Sequence, residues 1–290
     1  MTSHKFLSVS HAWPKRIVCL TAETTEIAFA LGAGDQIVGV SGFALRPAEA
    51  RQKEKVSAFT SARIDKIRAL KPDLILAFSD LQKDIVRDLT QEGFTVFVTN
   101  QRSLEEIGEA ILATGRLLGR EEKALELREK FYDELDQLEK KASAFPRRLR
   151  VYFEEWDDPP ISGIRWVGEI IEKVGGKDIF PELGLGLTAS ERRVNPEEVI
   201  RRNPEVILAS WCGKKVRFEK IRSRPGWEKI EAVERNQIYE IKSPYICQPG
   251  LSLLEGARQM FEIFGRIHEL ERRGGPGRRP DGRHEIFSFH

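Results

Sequence analysis

One short pattern occurs twice in this chain, and it limits the possible folds more than any other feature. Ile67-Arg-Ala-Leu-Lys-Pro-Asp-Leu-Ile-Leu-Ala-Phe78 is matched by Val199-Ile-Arg-Arg-Asn-Pro-Glu-Val-Ile-Leu-Ala-Ser210. Each copy reads as a helix end, a Pro-acid break and an apolar run. Proline stops the helix because it lacks the amide donor and biases the residue before it away from helical angles. The run that follows is apolar on both faces, which is the signature of a strand covered on both sides, as in parallel sheets. Two further matches fall in the same order: Arg16-Ile-Val-Cys-Leu20 with Arg150-Val-Tyr-Phe-Glu154, and Ala30-Leu-Gly-Ala-Gly-Asp35 with Lys173-Val-Gly-Gly-Lys-Asp178. Ordered self-similarity predicts two related lobes.

Strands expected at 17–20, 37–40, 74–78 and 95–98 alternate with helices at 22–31, 64–70, 82–92 and 104–118. Strands at 149–153, 206–209 and 238–241 alternate with helices at 167–174 and 251–267. The expected fold class is therefore α/β, with two Rossmann-like lobes and parallel sheets. Between the lobes, Ala124, Leu127, Phe131, Leu135, Leu138 and Ala142 recur at helical spacing. They predict one long backbone helix of about 22 residues, roughly 33 Å at 1.5 Å per residue. The expected division is an extension at 1–15, a first lobe at 16–120, the connecting helix at 121–145, a second lobe at 146–271 and a disordered basic tail at 272–290.

Composition removes several function classes. Lys and Arg number 47 against 45 acids, a net charge of +2, so the basic face of a nucleic-acid binder is not expected. No apolar run reaches the roughly 18–20 residues of a membrane span. Three cysteines exclude a disulfide framework. The five histidines, at 4, 11, 268, 284 and 290, lie at the chain ends, so no metal centre is expected and no cofactor is required. Residues 1–16 lack the apolar stretch of a secretory signal. That favours a cytoplasmic chain, with a periplasmic one as the alternative if a signal has been removed. A monomer is expected.

In open parallel sheets, ligands meet the carboxyl ends of the strands. The candidates there in the first lobe are Thr21 and Glu23, Ser41 and Phe43, Ser79, Asp80 and Gln82, and Gln101. In the second lobe they are Glu155 and Trp156, Arg165 and Trp166, Trp211 and Cys212, and Tyr245 and Gln248. The three tryptophans suit a planar or amphipathic ligand; packing inside the lobe is their alternative fate. The run Glu154, Glu155, Asp157, Asp158 could bind a cation, hold Arg165 or do acid–base work. Cys212 and Cys247 lie near the same loops, but no histidine between 11 and 268 is available to activate a thiol. Asp65 and Glu197 each lie eight residues before the acid of their repeat. They complement a helix N-terminus or give one docking carboxylate per lobe.

Several segments carry a family resemblance: residues 16–40, Ala69-Leu-Lys-Pro-Asp-Leu-Ile-Leu-Ala77, Asn203-Pro-Glu-Val-Ile-Leu-Ala209, Tyr152-Phe-Glu-Glu-Trp-Asp157, Ser162-Gly-Ile-Arg-Trp166, Ser210-Trp-Cys-Gly-Lys214 and Gln248-Pro-Gly250. Over about 16–268 the chain resembles the cobalamin-type substrate-binding proteins of ABC importers, which have the helical-backbone, class III periplasmic binding-protein fold. The resemblance implies a non-enzymatic protein that holds a corrinoid between its lobes. It also implies docking to an importer permease dimer through Asp65 and Glu197. A haem- or siderophore-type iron complex is the alternative ligand. A hydrolase-like enzyme using Glu154, Glu155 and Asp157, with Cys212 nearby, is the alternative activity.

Overall fold

The computed structural model describes residues 14–274. The expected extension up to residue 13 and the tail from 275 lie outside the described residues, as do His4, His11, His284 and His290.

The chain divides into two units. One comprises the residues up to Asn100 together with Glu109–Arg128; the other comprises Gln101–Gly108 and the chain from Glu129 onward. The elements run β1 (Ile17–Cys19), α1 (Ala22–Ala30), β2 (Ile37–Ser41), β3 (Glu54–Ser57), α2 (Ile64–Leu70), β4 (Leu74–Phe78), α3 (Lys83–Gln91) and β5 (Val96–Thr99). The helices α4 (Leu104–Leu117) and α5 (Glu121–Ala142) follow. Next come β6 (Leu149–Asp157), β7 (Pro160–Ser162), α6 (Arg165–Lys173), β8 (Gly176–Asp178), α7 (Pro196–Arg202) and β9 (Val206–Ala209). The chain closes with α8 (Phe218–Arg222), α9 (Glu231–Glu234), β10 (Ile238–Glu240) and α10 (Leu253–Arg272).

The first sheet has strand order β3-β2-β1-β4-β5, and every pairing in it is parallel. In the second, β6 is central. It pairs in parallel with β9, which pairs in parallel with β10. On its other edge, Leu149–Val151 pair in parallel with β8, while Glu154–Asp157 pair antiparallel with β7. The α/β class and the parallel framework are as expected. The three short strands β3, β7 and β8 were not anticipated. They sit at edges and carry glycine, proline or charged residues, which edge strands tolerate and buried strands do not.

The repeat has an exact structural meaning at the amino ends of the sheets. Lys71 and Asn203 end α2 and α7 in the left-handed conformation, with φ of 48° and 43°. The Pro-acid pair then turns the chain into β4 or β9. The Asp73 carboxylate accepts the Lys15 and Arg16 amides at 2.8 and 2.9 Å; the Glu205 carboxylate accepts the Arg150 amide at 2.9 Å. The guanidinium Nε of Arg16 donates to the Leu70 carbonyl at 2.8 Å, and that of Arg150 to the Asn203 carbonyl at 2.9 Å. Each acid satisfies amides at the amino end of the first strand of its unit, and each arginine closes the end of a helix.

The expected stripe on α5 is the buried one: Ala124, Phe131, Leu135, Leu138 and Ala142 are buried and Leu127 is partly so. Val18, Leu20, Ile67, Ile75 and Leu89 pack the core of the first unit. Tyr152, Phe180, Ile207, Trp211 and Trp227 pack that of the second. Burying each such side chain contributes about 1.5–3 kcal/mol.

Candidate ligand-binding loops

In the first unit the carboxyl ends of the strands are lined by hydroxyls and capped by exposed apolar side chains. Thr21 precedes α1, and its hydroxyl lies 3.0 Å from that of Thr24. Ser41 and Ser79 are buried and spend their hydroxyls locally, accepting the amides of Phe43 and Leu81 at 3.2 Å each. Ser79 has φ of 62°, a conformation costly for a residue with a side chain and often found at functional loops. Gln82 is fully buried. It accepts the Phe78 amide and donates to the Phe59 carbonyl, so it braces two loops. Asp80 is exposed. Phe43, Leu45 and Leu81 are 52%, 51% and 58% exposed. Leu45 and Leu81 were not singled out from the sequence, where each looks like an ordinary core leucine.

Glu23 is only 2% exposed and its Oε1 has no hydrogen-bond partner. Burial pushes its carboxyl up to about 7, against the smaller opposing pull of the Thr21 hydroxyl. One helical turn on, Glu26 is paired with Arg46 at 3.0 Å.

The second unit presents charge instead. Every carboxylate of the acidic run within β6 is neutralised by cations from later in the chain. Glu154 is fully buried and accepts the Trp211 indole at 3.0 Å, the Tyr152 hydroxyl at 3.1 Å and the Arg224 guanidinium. Glu155 takes both ends of the buried Arg192 guanidinium, at 2.8 and 3.2 Å. Asp157 faces Lys214 and, at 2.6 Å, Lys220. Its burial opposes ionisation, but the two ammonium groups prevail and hold its carboxyl at about 2. A carboxylate tied to a cation in this way is not free to shuttle protons.

The tryptophans separate into two kinds. Trp166 and Trp211 are 1% exposed. Trp166 donates its indole N–H to the Ile246 carbonyl at 2.9 Å and Trp211 to Glu154, so both rings belong to the interior of the unit. Trp156 is half-buried on the hairpin of β6 and β7. Its indole donates to the Asp158 carbonyl, and the Lys214 ammonium sits 3.7 Å from its ring centroid. Arg165 is exposed and paired with Glu169 rather than with the acidic run. Tyr245 and Gln248 lie half-buried in the turns that follow β10. Gln101 groups with the second unit, donating to the Pro249 carbonyl at 3.1 Å; its Oε1 is buried without a partner.

The thiols are not activated. Burial pushes Cys19 up to about 12 and Cys247 well above its ordinary value, and desolvation with the Glu155 charge raises Cys212. A thiol nucleophile needs the opposite shift. Asp65 and Glu197 are both exposed and are the second residues of α2 and α7. They occupy equivalent places, and among the described residues neither carboxylate is bonded to another side chain. Among the described residues no cluster of three or more metal-ligating side chains occurs. No helix there is long and apolar enough to cross a membrane.

Comparison with known proteins agrees with this architecture. The periplasmic binding protein family model matches residues 17–245. The chain belongs to that family. It is 28% identical over 272 residues to a vitamin B12-binding protein of Vibrio vulnificus, covering 91% of this chain and 94% of the relative. It is 28% identical over 264 residues to an uncharacterized ABC transporter substrate-binding lipoprotein of Bacillus subtilis, covering 86% and 79%. The crystal structure of the periplasmic vitamin B12 binding protein of Vibrio cholerae superposes with a TM-score of 0.70 at 25% identity, over 88% of this chain and 98% of that one. This family member is a periplasmic binding protein of the ABC-importer type, a non-enzymatic solute binder. The hydrolase-like alternative is thereby corrected, in keeping with an acidic run already consumed by its counter-ions.

Proposed function

We propose that the chain captures a corrinoid for ABC-type uptake, using the loops at the carboxyl ends of its strands. The observation that carries this reading is the similarity to a vitamin B12-binding protein along 91% of the chain. The chemistry of the loops suits such a ligand. A corrinoid is a large ring with an apolar face and a polar rim. Phe43, Leu45 and Leu81 offer exposed apolar area in one unit, and Trp156 offers a half-buried aromatic edge in the other. Aromatic anchors contribute much contact area at low entropic cost. Asp65 and Glu197 are the proposed docking carboxylates for the permease. Delivery to an importer takes place on the outward side of the membrane, which favours the periplasmic of the two expected placements.

Isothermal titration with cyanocobalamin tests the reading. The expected result is micromolar or tighter binding, weakened about tenfold by Trp156→Ala or Phe43→Ala, the effect of removing one aromatic contact. Trp166→Phe serves as the control for an interior ring and leaves affinity unchanged. Absence of heat with cyanocobalamin, with clear heat from haem, would replace the ligand and keep the binding role.

A further inference from the structure

The sequence run Glu154-Glu-Trp-Asp-Asp158 reads as an acidic loop, yet in the fold only Asp158 of its acids is exposed. Glu154 and Asp157 are buried under cations. The outermost side chains of the neighbouring loop are Lys214, Lys215 and Arg217, all exposed. Among the described residues neither Lys215 nor Arg217 has an ion-pair partner.

Lys214 stands apart among them. Gly213, with φ of 76° and open space around its Cα, reverses the chain after β9. The turn is closed by the Lys214 amide on the Trp211 carbonyl at 3.1 Å. The side chain then folds back over Trp156, where its ammonium gains a cation–π contact. Its carboxylate partner, Asp157, is also held by Lys220 at 2.6 Å. One carboxylate facing two ammonium groups leaves one positive charge over. The two side chains are similarly exposed, 40% for Lys214 and 36% for Lys220; Lys214 is the one that follows the carboxyl end of β9 and lies against Trp156. If it turns to a new anion, Asp157 keeps Lys220 and no buried charge is stranded.

We infer that Lys214 is a specificity-determining residue that reads an anionic oxygen group, phosphate or carboxylate, on the bound solute, with Trp156 as its seat. This deepens the proposed function and rests on its assignment of the ligand to these loops. It excludes a ligand recognised through neutral amides alone.

The test compares three ligands on wild type, Lys214→Met and Lys214→Arg. Cyanocobalamin carries one phosphodiester, cobinamide lacks it, and haem carries two carboxylates. The expected result is a loss of about tenfold or more for cyanocobalamin on Lys214→Met, as for removal of a charge-assisted contact. Cobinamide affinity stays within twofold, and Lys214→Arg recovers most of the loss. Added salt weakens cyanocobalamin binding to wild type and not to Lys214→Met. A loss for haem with none for cyanocobalamin assigns the read group to a carboxylate. Equal affinity of wild type and Lys214→Met for both anionic ligands overturns the role of Lys214 and leaves the proposed function standing. Lys214-dependent binding of haem alone overturns the corrinoid and keeps the anion reader. Binding of none of the three overturns both.

Discussion

The amino ends of the two sheets are built alike, whereas their carboxyl ends are not. At the amino ends, the left-handed helix cap, the proline, the acid that collects strand amides and the arginine that closes the helix all recur with matching partners. At the carboxyl ends, the first unit has buried hydroxyls, a buried Glu23 with one oxygen lacking a hydrogen-bond partner, and exposed Phe43 and Leu81, while the second has paired charges around a single partly exposed tryptophan. The duplicated half of each unit is scaffold, and the divergent half is the part proposed to meet a ligand. A family whose members bind different solutes requires this: the frame stays constant and only the loops change.

The charge contrast is broken most severely at Glu154. Glu154→Gln leaves the Arg224 guanidinium without its counter-charge in the interior. The expected cost is about 3–5 kcal/mol in urea unfolding, the usual penalty for stranding a buried ion. A cost under about 1 kcal/mol would mean that the second unit does not depend on its ion pairs. The first unit gives the opposite response. A carboxyl whose native pKa is raised holds its proton more tightly folded than unfolded, so wild type loses stability as pH rises from about 4.5 to about 7. Glu23→Gln removes that loss. It is expected to be more stable than wild type by about 2–3 kcal/mol at pH 8 and nearly equal at pH 4. The titratable groups acting on Glu23 are Cys19 and Glu26, and Glu26 is itself paired with Arg46. A stability difference independent of pH would show that Glu23 is not the titrating group. The smallest effect is expected at the shared amino ends. Asp73→Asn keeps an acceptor for the Lys15 and Arg16 amides and costs about 1 kcal/mol. Glu205→Gln costs more because it also loses the Arg147 and Arg150 ion pairs. Equal costs would make the two devices energetically identical.

Sequence reasoning recovered what is encoded locally. Proline and its following acid mark the turns into β4 and β9, and the spacing of Ala124, Phe131 and Leu135 marks the buried face of α5. It did not recover pairings made at long range. The counter-ions of the acidic run, Arg192, Lys214, Lys220 and Arg224, lie 37 to 70 residues downstream of their partners, and nothing in their local sequence announces them. Trp166 and Trp211 sit at strand and helix ends just as Trp156 does, so position alone could not show that two of the rings point inward. The edge strands β3, β7 and β8 escaped because they lack the apolar runs of interior strands.

The sorting of the tryptophans has an optical consequence. Of the four among the described residues, Trp166, Trp211 and Trp227 are sealed in the interior and shielded from dissolved quenchers. Trp156 alone is within their reach, with a lysine ammonium against its ring. The fold thus carries its own reporter group, placed on the loop surface proposed to receive the solute, and its emission can be followed without attaching a dye.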